Sequence, residues 1–331
     1  MKAICLNSGG LDSLLALKLI HSQGIECISL TFHTIFLSSS NNKQKHYAIE
    51  LAKELNVKFM FIDISKEYLE IIKKPVYGFG SGANPCIDCK ILFLRKAREI
   101  MEKEKANFVV TGEVLGQRPM TQFLKSLNLI EKKAELKGLI VRPLSAKFLP
   151  LTIPEQQGWI NRELLCNIQG RSRKIQFELA EKFGIENYST PAGGCLLTDE
   201  SFSKKVKDLL KYKLNANLSE FVLLKKGRHF RLSNEYKLIS GRNHKENIYL
   251  KSYAEKNNLP ILKARDVVGS LGILDNDLFN DEIIKLAARI VLRYSDNSEN
   301  EGNIIVIKNN EIIKEIKVEK LSDEEISKYR V

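Results

Sequence analysis

The chain has 331 residues, enough for two domains, and its 44% hydrophobic content is sufficient for ordinary packed cores. With 52 Lys and Arg against 40 Asp and Glu, the formal charge is +12, which points to a polyanionic partner. No basic leader precedes the first predicted strand and no apolar run could span a bilayer. A membrane role is therefore not expected, and a cytoplasmic protein with reduced thiols is.

In chain order, Ala3-Ile4-Cys5-Leu6 reads as a short buried strand ending at Asn7, and Leu14, Leu15, Leu17, Leu19 and Ile20 as a helix. Between them lies Ser8-Gly9-Gly10-Leu11-Asp12-Ser13. The glycines let the backbone turn so that successive N–H groups converge ahead of the helix, which makes an anion site. Ser8 and Ser13 flank it with hydroxyls, the helix N-terminus adds partial positive charge, and Asp12 can hold Mg2+ against a phosphate. The expected ligand is a nucleotide contacted by Ser8, Gly9, Gly10, Asp12 and Ser13. The common triphosphatase pattern Gly-x-x-x-x-Gly-Lys-Ser/Thr is absent. The stretch instead resembles the SGGxDS signature of the PP-loop ATP pyrophosphatases, which split ATP into AMP and pyrophosphate to activate a substrate oxygen. The resemblance implies ATP and Mg2+ as cofactors.

Gly24 reads as a helix stop, Cys27 to Phe32 as a second strand, Tyr47 to Leu55 as a helix and Val57 to Ile64 as a third strand. Such alternation implies right-handed crossovers and a parallel sheet that binds ligands at its carboxyl edge. The expected organisation is a Rossmann-like α/β domain (HUP, or adenine nucleotide alpha hydrolase) over residues 1–200 and a smaller α+β domain over residues 216–331. Phe32, His33 and Asp63 should share the carboxyl edge with the glycine loop. In related enzymes the second strand end lines the adenine pocket, which implies contacts from Phe32 and His33; a plain loop histidine is the alternative.

Residues 74–84, rich in Gly and Pro, read as a loop leading to Cys86-Ile87-Asp88-Cys89 and a long helix, with Asn84 as its cap and Pro85 as its first residue. Both thiols would sit on the first turn, where the helix dipole favours thiolate. Phe108-Val109-Val110 is a fourth strand delivering Thr111-Gly112-Glu113-Val114-Leu115-Gly116-Gln117 to the same edge. This run resembles the TGExLGQ stretch of the PP-loop tRNA 4-thiouridine synthases, as do the helix expected at Met120 to Leu124 and the later Arg142-Pro143-Leu144. The resemblance implies that Thr111, Gly112, Glu113 and Gln117 close over nucleotide and base. Helical patterns follow at Pro154 to Leu165 and Ser172 to Phe183; between them, Arg171 and Arg173 suit either an RNA phosphate or a solvated helix start. Later, Ser189 to Asp199 carries Cys195 just after Gly193-Gly194.

Cys86, Cys89 and Cys195 form a pair plus a distant single. Several PP-loop tRNA thiolases with this arrangement hold an iron-sulfur cluster, which implies catalytic and metal-ligating roles for these three, most simply around [4Fe-4S] with one iron left open. A persulfide and disulfide pair, or structural zinc, are the other chemistries. The implied reaction adenylates a uridine carbonyl oxygen, with Asp12 at the nucleotide, and lets sulfide or a persulfide carrier displace AMP. The activity expected is that of an ATP-dependent tRNA sulfurtransferase, 4-thiouridine being favoured over 2-thiouridine.

The last third resembles the NFACT-R RNA-binding module at His229-Phe230-Arg231, Gly241-Arg242-Asn243 and Asn247. Lys225, Lys226, Arg228, His229, Arg231 and Arg242 are the candidate RNA contacts, with Phe230, Tyr236 and Tyr249 for stacking. Ile304 to Val318 reads as a hairpin around Asn309-Asn310, followed by a charged helix. The usual 4-thiouridine synthases dock RNA through an N-terminal THUMP domain, so here docking on tRNA would pass to the C-terminal module. The partners expected are tRNA and a sulfur donor, with room for an oligomer and none for a membrane. Two rivals remain: a PP-loop ligase acting on a small molecule, indifferent to loss of residues beyond about 215, and an RNA-binding factor with a relic nucleotide site.

Overall fold

The computed structural model describes residues 1–37, 41–188, 195–276 and 280–331, and the chain divides into two compact units, Met1–Asp199 and Glu200–Val331. The first unit alternates strand and helix: β1 (Lys2–Leu6), α1 (Leu11–His21), β2 (Glu26–His33), α2 (Asn41–Glu54), β3 (Lys58–Asp63), α3 (Ser65–Lys73), α4 (Cys86–Lys103), β4 (Phe108–Thr111), α5 (Leu124–Lys133), β5 (Ile140–Val141), α6 (Ile153–Gln156) and α7 (Lys174–Lys182). All five strands run parallel in the order β3-β2-β1-β4-β5. The order therefore reverses between β1 and β4, and Ser8 to Ser13 and Thr111 to Gln117 leave those two strands side by side. A reversal of this kind opens a crevice at the carboxyl edge of a parallel sheet.

Period-two alternation divides the core between the two faces of the sheet. Ala3 and Cys5 of β1 face one way, with α1 and Phe108, while Ile4 faces the other, with α4 and Val109. Helix α1 is buried at Leu11, Leu14, Leu15, Leu17, Leu19 and Ile20, so the helix that follows the glycine loop is itself a core element. Two expected helices are shorter than their patterns. Pro154 to Leu165 is helical only in α6 and in a 3-10 turn at Arg162–Leu164, because Gly158 adopts φ +67° between them. The helix expected at Met120 starts at Leu124 instead, since Met120 has φ +68°.

The second unit contains α8 (Glu200–Tyr212), α9 (Leu218–Leu223), β6 (Arg228–Arg231), β7 (Lys237–Ser240), α10 (His244–Lys256), β8 (Ile261–Ala264), β9 (Leu271–Leu274), α11 (Asp281–Arg293), β10 (Glu301–Lys308), β11 (Glu311–Glu319) and α12 (Asp323–Ser327). Its six strands are antiparallel, in the order β11-β10-β8-β9-β7-β6. Asn309 and Asn310 both take positive φ and close the β10–β11 hairpin, as the sequence predicts. Helix α8 is fastened to the sheet through Asp208. Its carboxylate takes Arg231 Nε at 3.0 Å, a second Arg231 nitrogen at 2.8 Å and Lys237 Nζ at 2.7 Å.

Lys237 is 3% exposed at its side chain, so Asp208 neutralises a cation that water does not reach. Asp208→Ala should therefore lower stability by about 3–5 kcal/mol, the cost of leaving a buried charge unpaired. Urea denaturation of the full chain followed by far-UV circular dichroism checks this, and a change under about 1 kcal/mol would refute it.

Candidate functional site

At the end of β1 the chain passes to Asn7, which is 2% exposed and organises the glycine loop. Its Oδ1 accepts from the Gly9 N–H at 2.9 Å and the Ser13 hydroxyl at 3.1 Å, while Nδ2 donates to Ser29 Oγ at 3.1 Å. The Ser8 N–H donates to Ser13 Oγ at 3.1 Å, and Gly9 supplies the turn with φ +72°. The open cradle expected from the sequence is thus corrected in part: the N–H groups of Ser8 and Gly9 are taken by side chains of the loop. The start of α1 stays open, because Gly10 at its N-cap offers no side chain to neutralise the positive helix end.

Asp12 sits in the first turn of α1. Its Oδ2 accepts from Gln117 Nε2 and from the Arg173 guanidinium, both at 3.0 Å. Its Oδ1 is buried with no hydrogen-bond partner, a state that costs about 1–3 kcal/mol and that a cation would relieve. Gly112 explains why the two motifs meet so closely. A Cβ at Gly112 would lie 2.5 Å from the backbone C and O of Asp12 and 2.6 Å from Ser13 N, so only glycine fits. Arg173, expected at an RNA phosphate or in solvent, is instead drawn inward to Asp12, whereas Arg171 is exposed.

Glu113 is 4% exposed between Lys90 Nζ at 3.2 Å and Arg142 Nε at 3.1 Å, and Arg142 also reaches Glu131 at 3.1 Å. Burial alone would raise its pKa, but Lys90 and Arg142 outweigh it and hold Glu113 at about 2. The Thr111 hydroxyl donates to the same carboxylate at 3.2 Å. Ser145 buttresses the loop, accepting from the Leu115 N–H at 2.9 Å and donating to the Ile168 carbonyl at 2.7 Å. Phe32 and His33 reach the carboxyl edge as expected; there Phe32 packs on Phe93 at 5.3 Å and His33 on Phe61 at 5.6 Å.

Cys86 and Cys89 occupy the first turn of α4, but the cap differs from expectation. Pro85, not Asn84, is the N-cap, and Asn84 uses its side chain on Gly82 and on Cys86. Cys195 arrives through Leu37, which bridges to it, through the Leu196 N–H to the Phe36 carbonyl at 2.8 Å, and through the Ala83 N–H to the Leu197 carbonyl at 3.0 Å. Gly193 and Gly194 lie outside the described residues. All three sulfurs interact with Tyr68, which is 4% exposed. The thiolate expected at Cys89 is disfavoured. Burial pushes Cys89 up to about 12, reinforced by Cys195 and Cys86, and burial also raises Cys195. Among the described residues, no group of three Cys, His, Asp or Glu side chains has the spacing of a metal site. The donor set suits an iron-sulfur centre in kind, since all three side chains are thiols.

In the second unit, the motif residues build a scaffold more than a contact surface. His229 is 1% exposed, with Nε2 on the Lys226 carbonyl at 2.9 Å, so its expected RNA contact is corrected; burial also holds its pKa well below the usual value and keeps it neutral. Phe230 and Tyr236 are core residues at 0% and 6% exposure and are not available for stacking. Arg231 is committed to Asp208. Glu246 accepts from the N–H groups of Gly227 at 3.1 Å and Arg242 at 2.9 Å, and Asn247 ties down Gly269 and Leu271. These bonds present Lys225, Lys226, Arg228 and Arg242, with Lys226 5.2 Å from the Tyr249 ring centre.

Glu113 offers a test with a definite sign. Its folded pKa lies below the usual 4.5, so its contribution is complete above pH 4.5 and is lost as pH falls through about 2. Glu113→Gln should remove that acid limb and cost about 3–5 kcal/mol at neutral pH. Urea titrations from neutrality down to pH 3 read both effects, and an unchanged acid limb would contradict the assignment.

Residues 1–147 match the family described as "Thiamine biosynthesis protein (ThiI)", and residues 227–330 match "NFACT protein RNA binding domain". A probable tRNA sulfurtransferase of Alkaliphilus metalliredigens is 30% identical over 145 residues, covering 44% of this chain and 36% of the relative. A tRNA-specific 2-thiouridylase of Petrotoga mobilis is 32% identical over 130 residues, covering 34% and 35%. The chain thus spans about a third of the length of these curated relatives. Among solved structures, a 4-thiouridine synthetase in complex with RNA and bound ATP is similar at 21% identity and a TM-score of 0.39, over 63% of this chain and 50% of that one. The chain is thus similar to the ThiI family over residues 1–147 and to the NFACT RNA-binding domain over residues 227–330.

Proposed function

We propose that the protein is an ATP-dependent tRNA uridine thiolase, with 4-thiouridine favoured over 2-thiouridine. The contact of Gly112 with the backbone of Asp12 carries this reading, because it makes one crevice of a pyrophosphate-type loop and the loop matched in the thiouridine synthases. ATP would lie with its phosphates at the open end of α1, and Asp12 Oδ1 would hold Mg2+. The uridine carbonyl oxygen attacks the α-phosphorus of ATP, the new O–P bond replaces the bond to pyrophosphate, and pyrophosphate leaves. Sulfide then adds at the ring carbon and AMP departs with the oxygen. Where a cysteine persulfide adds instead, a second cysteine thiolate attacks its inner sulfur. That attack breaks the S–S bond, leaves the outer sulfur on the base and forms an enzyme disulfide that an external thiol must reduce. Arg173 and Gln117 keep Asp12 in place, and the Lys90–Glu113–Arg142 cluster braces the adjoining loop.

Cys86, Cys89 and Cys195 would hold a [4Fe-4S] cluster, which when bound supplies an iron free of protein ligands to carry sulfide. The alternative carrier is a persulfide on one of the same cysteines, its outer sulfur transferred from a donor persulfide whose thiol leaves. The tRNA itself would dock on the half-buried Lys225, Lys226 and Arg228 and the exposed Arg242 of the second unit, and on Arg171 of the first.

Mass spectrometry of tRNA nucleosides from cells with and without the protein tests the reading. A thiouridine should disappear on deletion, stay absent with Cys86→Ser or Cys195→Ser, and fall at least about 100-fold with Asp12→Asn. Unchanged thiouridines would sink it. Iron and sulfide assay of anaerobically purified protein chooses the carrier: active but iron-free protein assigns the sulfur to a persulfide.

A further inference from the structure

Asn84 lies outside every role assigned above, yet it makes a direct contact with one of the three sulfurs. It is 5% exposed, and its Oδ1 accepts from the Gly82 N–H at 3.0 Å. An N–H can only donate, so this bond fixes the amide's orientation and turns its NH2 group toward Cys86 Sγ, 3.0 Å away. The backbone is held as firmly, because the Asn84 carbonyl accepts from the N–H of Gly80 at 2.9 Å and of Cys86 at 3.0 Å. Gly80 closes over it: a Cβ there would meet Asn84 Nδ2 at 2.4 Å and Met120 Sδ at 2.9 Å. Met120 belongs to the run that follows Gln117, so the amide is clamped between the sulfur end and the nucleotide end of the site.

We propose that Asn84 is a positioning residue for the sulfur chemistry: its side-chain amide donates an N–H···S hydrogen bond that fixes Cys86 and stabilises negative charge on that sulfur. The inference deepens the thiolase reading and rests on it for what the sulfur is used for. An anionic sulfur in a water-poor site needs donors, and hydrogen bonds to sulfur tune both its nucleophilicity and the potential of a metal centre it holds. Asp88, between the two cysteines, cannot serve. Both of its oxygens accept backbone N–H groups, from Val76 at 3.1 Å and Tyr77 at 3.0 Å.

The test measures alkylation of the reduced, metal-free full chain by iodoacetamide under anaerobic conditions, with mass spectrometry resolving each cysteine. Asn84→Asp keeps the acceptor for Gly82 and replaces the donor, while Asn84→Ala removes the donor without adding charge. In both, Cys86 should react about three- to tenfold more slowly relative to Cys166, and in Asn84→Asp the deficit should persist at high salt. A merely structural Asn84 predicts the opposite sign, since loosening the loop exposes Cys86 and speeds its reaction. An unchanged or faster Cys86, or an Asn84→Asp deficit that vanishes with salt, overturns the proposal. If Asn84→Ala unfolds, which a common rise at all six cysteines reveals, the high-salt result for Asn84→Asp decides. Alkylation reads the sulfur and not the tRNA product, so failure here and failure of the thiolase reading are separate results.

Discussion

The first unit depends on a backbone contact that tolerates no side chain. Gly112, leaving β4, lies against the peptide that joins Asp12 to Ser13, and the missing Cβ lets two strand-end loops share one crevice. Everything polar in the crevice is set by that approach. Asp12 gains Gln117 and Arg173 on one oxygen and keeps the other without a partner, while Glu113, the next residue after Gly112, locks into Lys90 and Arg142. Since Lys90 follows Cys89 directly, the same ion cluster fastens the cysteine-bearing turn of α4 to the loop that follows β4. A parallel sheet whose strand order reverses between β1 and β4 provides the opening, and local charge pairing gives it chemistry.

Much of this was legible in the chain. Apolar runs of four to eight residues alternating with helical periods dictate a parallel sheet, and the glycines at Gly9, Gly10 and Gly112 mark where backbone must turn or approach closely. What escaped is non-local. Asn7 looks like a strand-end residue, but its two side-chain bonds to Gly9 and Ser13 shape the loop. Tyr68 was not singled out at all, and only the tertiary fold buries it near Cys89. At Cys89 the thiolate expectation runs against burial, which a dipole argument does not count and which dominates there.

The second unit shows the same limit from the other side. His229, Phe230 and Arg231 were read as contacts because they are basic or aromatic, yet His229 bonds the Lys226 carbonyl, Arg231 pairs with Asp208 and Phe230 lies in the core. Gly227 and Arg242 meet on one carboxylate, Glu246, which fixes the two turns that carry Lys225, Lys226, Arg228 and Arg242. A residue type that suits nucleic acid is thus distinguished from one that builds the platform only by where its hydrogen bonds go.

Release of pyrophosphate from ATP by the purified full chain, with and without unmodified tRNA, is the most direct measurement of whether the Gly112 junction forms one working site. The account predicts release that requires tRNA and that collapses in a folded Gly112→Ala variant, whose added methyl must push Asp12 away. No tRNA-dependent release from the unaltered protein, or undiminished release from Gly112→Ala, would contradict it.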